Sequence, residues 1–232
     1  KTNDARLECF RREARALASL SHPNLVQLLH ADTSGRTEYL VLEYISGTDL
    51  AQFVESRGPL PVDLALACIR DVAQGLAYLH RQGWVHRDIK PANLMLDRSG
   101  QVKIVDLGLA ERVGPDGCAP ACDTIFGSPG YAAPEQICHG QTDARSDVYS
   151  LGCTFYCLLT GRAPFDDDTV RDRLESTLRG EVRPACERRR DVPRELSQIC
   201  QRMMSRDPGE RPASAGEVLA ALDAWEAQQA GK

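Results

Sequence analysis

Val85 to Ala110 reads VHRDIKPANLMLDRSGQVKIVDLGLA. Leu94, Met95 and Leu96 form one short apolar run and Val102 to Val105 a second, with the turn residues Asp97-Arg98-Ser99-Gly100 between them. The pattern predicts a hairpin with a polar loop at either end, one carrying Asp88 and Asn93, the other Asp106. Pairing the two strands brings those loops together, so the three oxygen-bearing side chains can converge on one point. Two carboxylates, an amide and the nearby Lys90 are suited to holding a hard cation and a phosphate and to placing a hydroxyl beside them.

His86-Arg87-Asp88-Ile89-Lys90-Pro91-Ala92-Asn93, followed by Asp106-Leu107-Gly108, resembles the catalytic loop and metal loop of a protein kinase. Leu107 stands where that family commonly has phenylalanine, and Lys90 two residues after Asp88 matches the serine/threonine branch. Three further stretches carry the resemblance along the chain: Ala133-Pro134-Glu135, Ser146-Asp147-Val148-Tyr149-Ser150-Leu151-Gly152 and Asp207-Pro208-Gly209-Glu210-Arg211-Pro212. The chain therefore resembles a bacterial-type, eukaryotic-like serine/threonine protein kinase domain.

The resemblance implies an α+β, protein-kinase-like fold, with residues 1–45 as a small lobe and 46–232 as a mainly helical large lobe. It implies ATP and Mg²⁺ as cofactors and proteins bearing Ser or Thr hydroxyls as substrates. Asp88 would orient the hydroxyl and accept its proton, Lys90 would steady the phosphate, and Asn93 and Asp106 would hold Mg²⁺. Leu42 would be the gatekeeper beside adenine, Glu43 and Ile45 would meet the base through their backbone, Met95 would lie beneath it, and Asp49 would lie near ribose. Glu13 takes the position of the helix glutamate that pairs with a strand lysine in this family. Ser128 takes the position whose hydroxyl touches the catalytic aspartate and lysine. Thr124 takes the usual phosphorylation position, with Arg87 as the cation beside it, and a second copy of the chain would be the modifying enzyme. Glu135 and Arg211 would form a structural pair, and Asp147 would bond to the catalytic-loop backbone. Leu17, Leu28, His86 and Leu107 fall where the family stacks a spine between lobes.

The glycine-rich loop and the strand lysine of the family are not found before Glu13, so the sequence reads as a kinase domain starting after its third strand, and inactive in that form. A scaffold retaining the fold without catalysis is the competing reading. A small-molecule phosphotransferase is the third, and the later matches from Glu135 to Arg211 speak against it.

Outward from the hairpin, Asp4 to Leu20 reads as an amphipathic helix stopped by Ser21-His22-Pro23. Leu25–His30 and Glu38–Tyr44 read as strands joined by Asp32-Thr33-Ser34-Gly35, and Ile45-Ser46-Gly47 as a hinge. Pro61–Arg81 has a stripe of Ile69, Val72, Leu76 and Leu79, and Ala144–Leu159 is apolar nearly all round, as a central buried helix should be. Helices are also predicted over Asp168–Arg179, Pro193–Met204 and Ser214–Ala227, with Arg188-Arg189-Arg190 in a solvated loop.

With 28 basic and 33 acidic residues the chain carries a formal charge of -5, which suits neither a nucleic-acid surface nor an anionic membrane. Its longest apolar run, Val148–Leu159, is too short to cross a bilayer. Nine cysteines without a CxxC pair or a signal peptide predict reduced thiols and a cytoplasmic location. Cys118 and Cys122, four apart in a loop, have no second ligand pair to make a metal site.

Overall fold

In the computed structural model, the described residues are Ala14, Ala18, 20–34, 37–114, 117–119, 127–138 and 142–230. Lys1, Glu13, Leu17, Cys122 and Thr124 lie outside them. Of the helix expected over Asp4–Leu20, the described residues are Ala14 and Ala18, both helical, and Leu20, which is not.

Strand β1 (Leu28–Ser34) pairs antiparallel with β2 (Thr37–Leu42), closing at Ser34 opposite Thr37. The strands thus differ from the sequence expectation: Asp32 and Ser34 belong to β1, not to the turn. Leu25 makes only an isolated bridge to Ile104, because Asn24 and Val26 are engaged with the Ile104 backbone instead of a neighbouring strand.

Gly47 is likewise not hinge but the start of β3 (Gly47–Asp49), which pairs with β5 (Leu94–Asp97). β5 in turn pairs with β6 (Val102–Ile104), the expected hairpin. Its turn is held by Asp97, whose Oδ1 accepts from Ser99 N–H, Ser99 Oγ and Gln101 N–H at 2.8, 2.6 and 3.0 Å. Those bonds, the Ser99 hydroxyl first, hold the Asp97 carboxyl below its ordinary pKa. A second small ribbon joins β4 (Trp84–Val85) to β7 (Glu111–Arg112), with Val85 opposite Glu111.

Helices α1 (Leu50–Arg57) and α2 (Val62–Arg81) follow β3, and Asp49 caps α1 by accepting from Gln52 N–H at 2.8 Å. The predicted stripe of α2 is wholly buried. It faces α4 (Ala144–Thr160), which follows the short α3 (Pro134–Cys138) and has Val148, Leu151, Phe155, Tyr156 and Leu158 inside the core. Asp143 and Ser146 cap α4 reciprocally, and Gly161 ends it in a left-handed conformation.

Next come α5 (Val170–Arg179), α6 (Ala185–Arg188), α7 (Arg194–Met203) and α8 (Ala215–Ala230). Thr169 and Pro193 cap α5 and α7 from outside, so both begin later than predicted. The helices pack closely: a Cβ on Gly152 of α4 would come within 2.8 Å of Met203 Cβ. Arg70 of α2 reaches α8, bonding Asp223 and, at 2.8 Å, Glu226. Arg189 is not a solvated loop charge. It donates to the carbonyls of Leu60 and Leu159 and pairs with Asp191 at 2.7 Å. Among the described residues no helix is long and apolar enough to cross a membrane.

Candidate active site

The centre of the site is the loop between β4 and β5. Its backbone is bent sharply: Arg87 has φ 68°, a left-handed conformation that a side chain disfavours. Such a conformation persists only when its surroundings fix it, and here the fixing group is Asp147 in the first turn of α4. Asp147 Oδ2 accepts from His86 N–H and Oδ1 from Arg87 N–H, both at 2.8 Å. His80 Nε2, at the last turn of α2, lies 2.8 Å from Oδ2. Burial would push the Asp147 carboxyl up. The His80 contact, the charges of His80 and His86 and the backbone N–H groups prevail and hold it below its ordinary value.

His86 is itself fully buried, and that burial pushes its pKa below the ordinary value. Its Nδ1 accepts from Asp88 N–H at 3.2 Å, fixing the residue that follows the bend.

Asp88 is then held at both carboxylate oxygens. Oδ1 accepts from the Ser128 hydroxyl at 2.9 Å; Oδ2 accepts from Lys90 Nζ at 2.7 Å and Asn93 Nδ2 at 3.1 Å. Lys90 Nζ also donates to Ser128 Oγ at 2.6 Å, closing the ring. Asn93 Nδ2 spends its remaining donor capacity on the Asp88 carbonyl at 2.9 Å, which leaves the amide oxygen as the acceptor facing away. The Asn93 carbonyl accepts from Val105 N–H at 2.9 Å, and this bond delivers the next residue, Asp106, beside Asn93. Asp106 is exposed, has φ 65°, and accepts from Gly108 N–H at 3.1 Å. Asn93 and Asp106 thus offer a pair of oxygen donors, the donor type that Mg²⁺ takes.

Of the residues expected at the base, Leu42 and Ile45 are half-buried against the core. Glu43 has structural ties that sequence reading did not reveal. Its N–H donates to the Gln27 carbonyl at 2.9 Å, and its Oε1 pairs with Lys103 of β6 at 2.7 Å. Met95 lies on the face of β5 opposite to buried Leu94 and Leu96, in register with Asp49 and Lys103.

Below the site, Arg211 forms a two-point pair with Glu135, Nη1–Oε1 at 2.7 Å and Nη2–Oε2 at 2.9 Å. Its guanidinium also donates to the carbonyls of Ser205, Arg145 and Arg206 and lies 4.8 Å above the Tyr149 ring. Ser146 Oγ donates to Glu135 at 2.7 Å, and Ser150 Oγ to the Tyr131 carbonyl at 2.9 Å. Leu107 and His86 are fully buried and Leu28 partly so.

Sequence reasoning missed His80, Gln136 and Glu111. His80 was the most accessible of these, since it continues the buried stripe of α2 four residues after Leu76 and is polar. Gln136 carries no such signal; its Nε2 donates to the Arg87 carbonyl at 2.9 Å only because α3 begins there.

The family described as protein kinase domain matches residues 1–222. Over 217 residues, 92% of this chain and 35% of the relative, the sequence is 35% identical to the serine/threonine-protein kinase PknB of Mycobacterium leprae. It is 32% identical over 223 residues, 96% of this chain and 32% of the relative, to the probable serine/threonine-protein kinase CPE1738 of Clostridium perfringens. It is 38% identical over 215 residues to the serine/threonine-protein kinase PknL of Mycobacterium tuberculosis, covering 93% of this chain and 54% of that one. The chain thus spans between a third and about half of the length of these relatives.

Proposed function

This chain belongs to the protein kinase domain family, in its bacterial serine/threonine branch, and from that premise we propose that the protein transfers the γ-phosphoryl group of ATP to Ser or Thr hydroxyls of other proteins. The observation that carries this reading is the Asp88 carboxylate, held on both oxygens by Ser128, Lys90 and Asn93. A group so restrained orients an incoming hydroxyl and accepts its proton with little reorganisation. The substrate oxygen forms a bond to the γ-phosphorus, the bond from that phosphorus to the β–γ bridging oxygen breaks, and ADP departs. Lys90 donates to the moving phosphoryl oxygens. Asn93 and Asp106 would hold Mg²⁺, which neutralises phosphate charge.

Leu42, Met95 and the backbone of Glu43 and Ile45 would hold the adenine of ATP, and the Asp49 oxygen not used in capping α1 would lie near the ribose. The two lobes divide at residue 45, since β3 beyond it belongs to the sheet of the hairpin. The buried cysteines are free thiols, as a reducing compartment would keep them, and the domain is assigned to the cytoplasm.

The test is phosphoryl transfer from γ-labelled ATP to a protein substrate by the full-length protein and its Asp88→Asn variant. Label appearing on Ser or Thr only with the wild type is expected. Equal label with both would overturn the assignment of Asp88.

A further inference from the structure

Arg87 precedes the catalytic aspartate, and its side chain is only 2% exposed. A guanidinium removed from water needs a compensating charge and hydrogen bonds. Its Nε donates to the Leu109 carbonyl at 2.7 Å, and its Nη2 lies 3.5 Å from Glu111 Oε2. Glu111 reaches that place by a defined route, because β7 pairs with β4 and puts Glu111 opposite Val85, two residues before Arg87. The rest of Arg87 is fixed as well. Its N–H is held by Asp147, and its carbonyl by Gln136. Gly127, at φ 100°, approaches that carbonyl so closely that a Cβ there would sit 3.3 Å from it.

We propose that Glu111 is a positioning residue for catalysis: its carboxylate holds Arg87, and through it Asp88, so that the loop is aligned without a phosphate on the segment between Gly114 and Ser128. The inference rests on the phosphotransfer reading above. Arg87 at φ 68° is a strained conformation, of a kind costing on the order of 1–3 kcal/mol, and it keeps its shape only while every tie is made. Slack at the guanidinium is passed directly to the next residue, Asp88, whose two oxygens must stay on Ser128, Lys90 and Asn93. A phosphate arriving at the same cation would add about -1.5 to -2 charges beside an existing carboxylate, so repulsion offsets part of its attraction to Arg87. Thr124, the modification position expected from the sequence, is accordingly dispensable for turnover.

The experiment uses full-length protein treated with a serine/threonine phosphatase, which is then removed before initial rates are measured with Mg²⁺, ATP and a protein substrate. Dephosphorylated wild type should keep at least about a third of its phosphorylated rate, while dephosphorylated Glu111→Gln should lose about tenfold or more in kcat with KM for ATP within about twofold. Phosphorylated Glu111→Gln should recover most of that loss, a rescue that general destabilisation would not produce. Thr124→Ala in the otherwise unchanged protein should stay within about threefold of wild type, and this arm stands even where the Glu111 variant does not fold. A fall of more than about tenfold on dephosphorylation of the wild type, or in Thr124→Ala, would overturn the inference, as would a dephosphorylated Glu111→Gln as fast as wild type. No transfer by the phosphorylated wild type would overturn the phosphotransfer reading and the inference with it.

Discussion

On the role proposed for Asp88, at the hydroxyl and not at the nucleotide, Asp88→Asn should lower kcat on the order of 10²–10⁴-fold while ATP binding by calorimetry stays near wild type. An effect on KM for ATP as large as that on kcat would assign it another role. His86 gives a pH dependence. Its folded pKa is depressed by burial, so between the ordinary histidine value of 6.5 and the lower folded one the unfolded chain binds a proton that the native chain does not. Stability is therefore full above that range and falls as pH drops through it. Tm should decrease between pH 7.5 and 5.5, and His86→Tyr should flatten the slope; a Tm independent of pH for the wild type would contradict this. Of the residues that meet at Asp88, Lys90 and Asn93 could be named from their spacing along one loop, whereas Ser128, 40 residues away, was legible only through the family resemblance. Of the ties around Arg87, the Asp147 bond to its backbone was expected from the resemblance, and those from Gln136 and Glu111 were not. Gln136 and Glu111 come from separate segments, and their approach depends on a left-handed bend that no residue type at position 87 announces.

Helices with strong periodicity were legible, as α2 shows: an unbroken apolar stripe and a proline at its start leave few alternatives. The small elements were not. β3 has three residues, one of them glycine, and exists only because β5 offers it an edge. α1 has a weak apolar face and is fixed by its Asp49 cap and by burial of Leu50 and Val54. The contact of α4 with α7 depends on Gly152. Gly152→Ala places a methyl group within 2.8 Å of Met203 Cβ and should cost about 1–3 kcal/mol in urea denaturation, by forcing α4 and α7 apart. Arg211→Met leaves the Glu135 carboxylate without its guanidinium and the carbonyls of Ser205, Arg145 and Arg206 short of a donor. Removing one member of such a buried pair should cost about 3–5 kcal/mol, read as a lowered denaturation midpoint at unchanged slope.

For the molecule as a whole, ligand binding and stability are linked. Mg²⁺ and ATP at a hundredfold excess over Kd should stabilise the full-length protein by about 2.7 kcal/mol, seen as a rise in Tm. Asp106→Ala should remove the Mg²⁺-dependent part of that rise, and a Tm rise identical in the variant would exclude Asp106 as a ligand. One helix has a wider consequence. Ser146, Asp147 and Ser150 lie within a single turn of α4, and they bond respectively to Glu135, to the backbone of His86 and Arg87, and to the Tyr131 carbonyl. Two segments of the site, the loop between β4 and β5 and residues 131–135, are thus measured from one datum buried in the core. A rod in the core holds its dimensions while loops drift in length and composition, so recognition can be rewritten at the surface without re-machining the chemistry. The reverse change is unforgiving: one residue inserted between Asp147 and Ser150 turns one mark about 100° from the others. Such a protein should lose catalysis outright, whereas a residue inserted near Gly114 should leave the rate close to where it began.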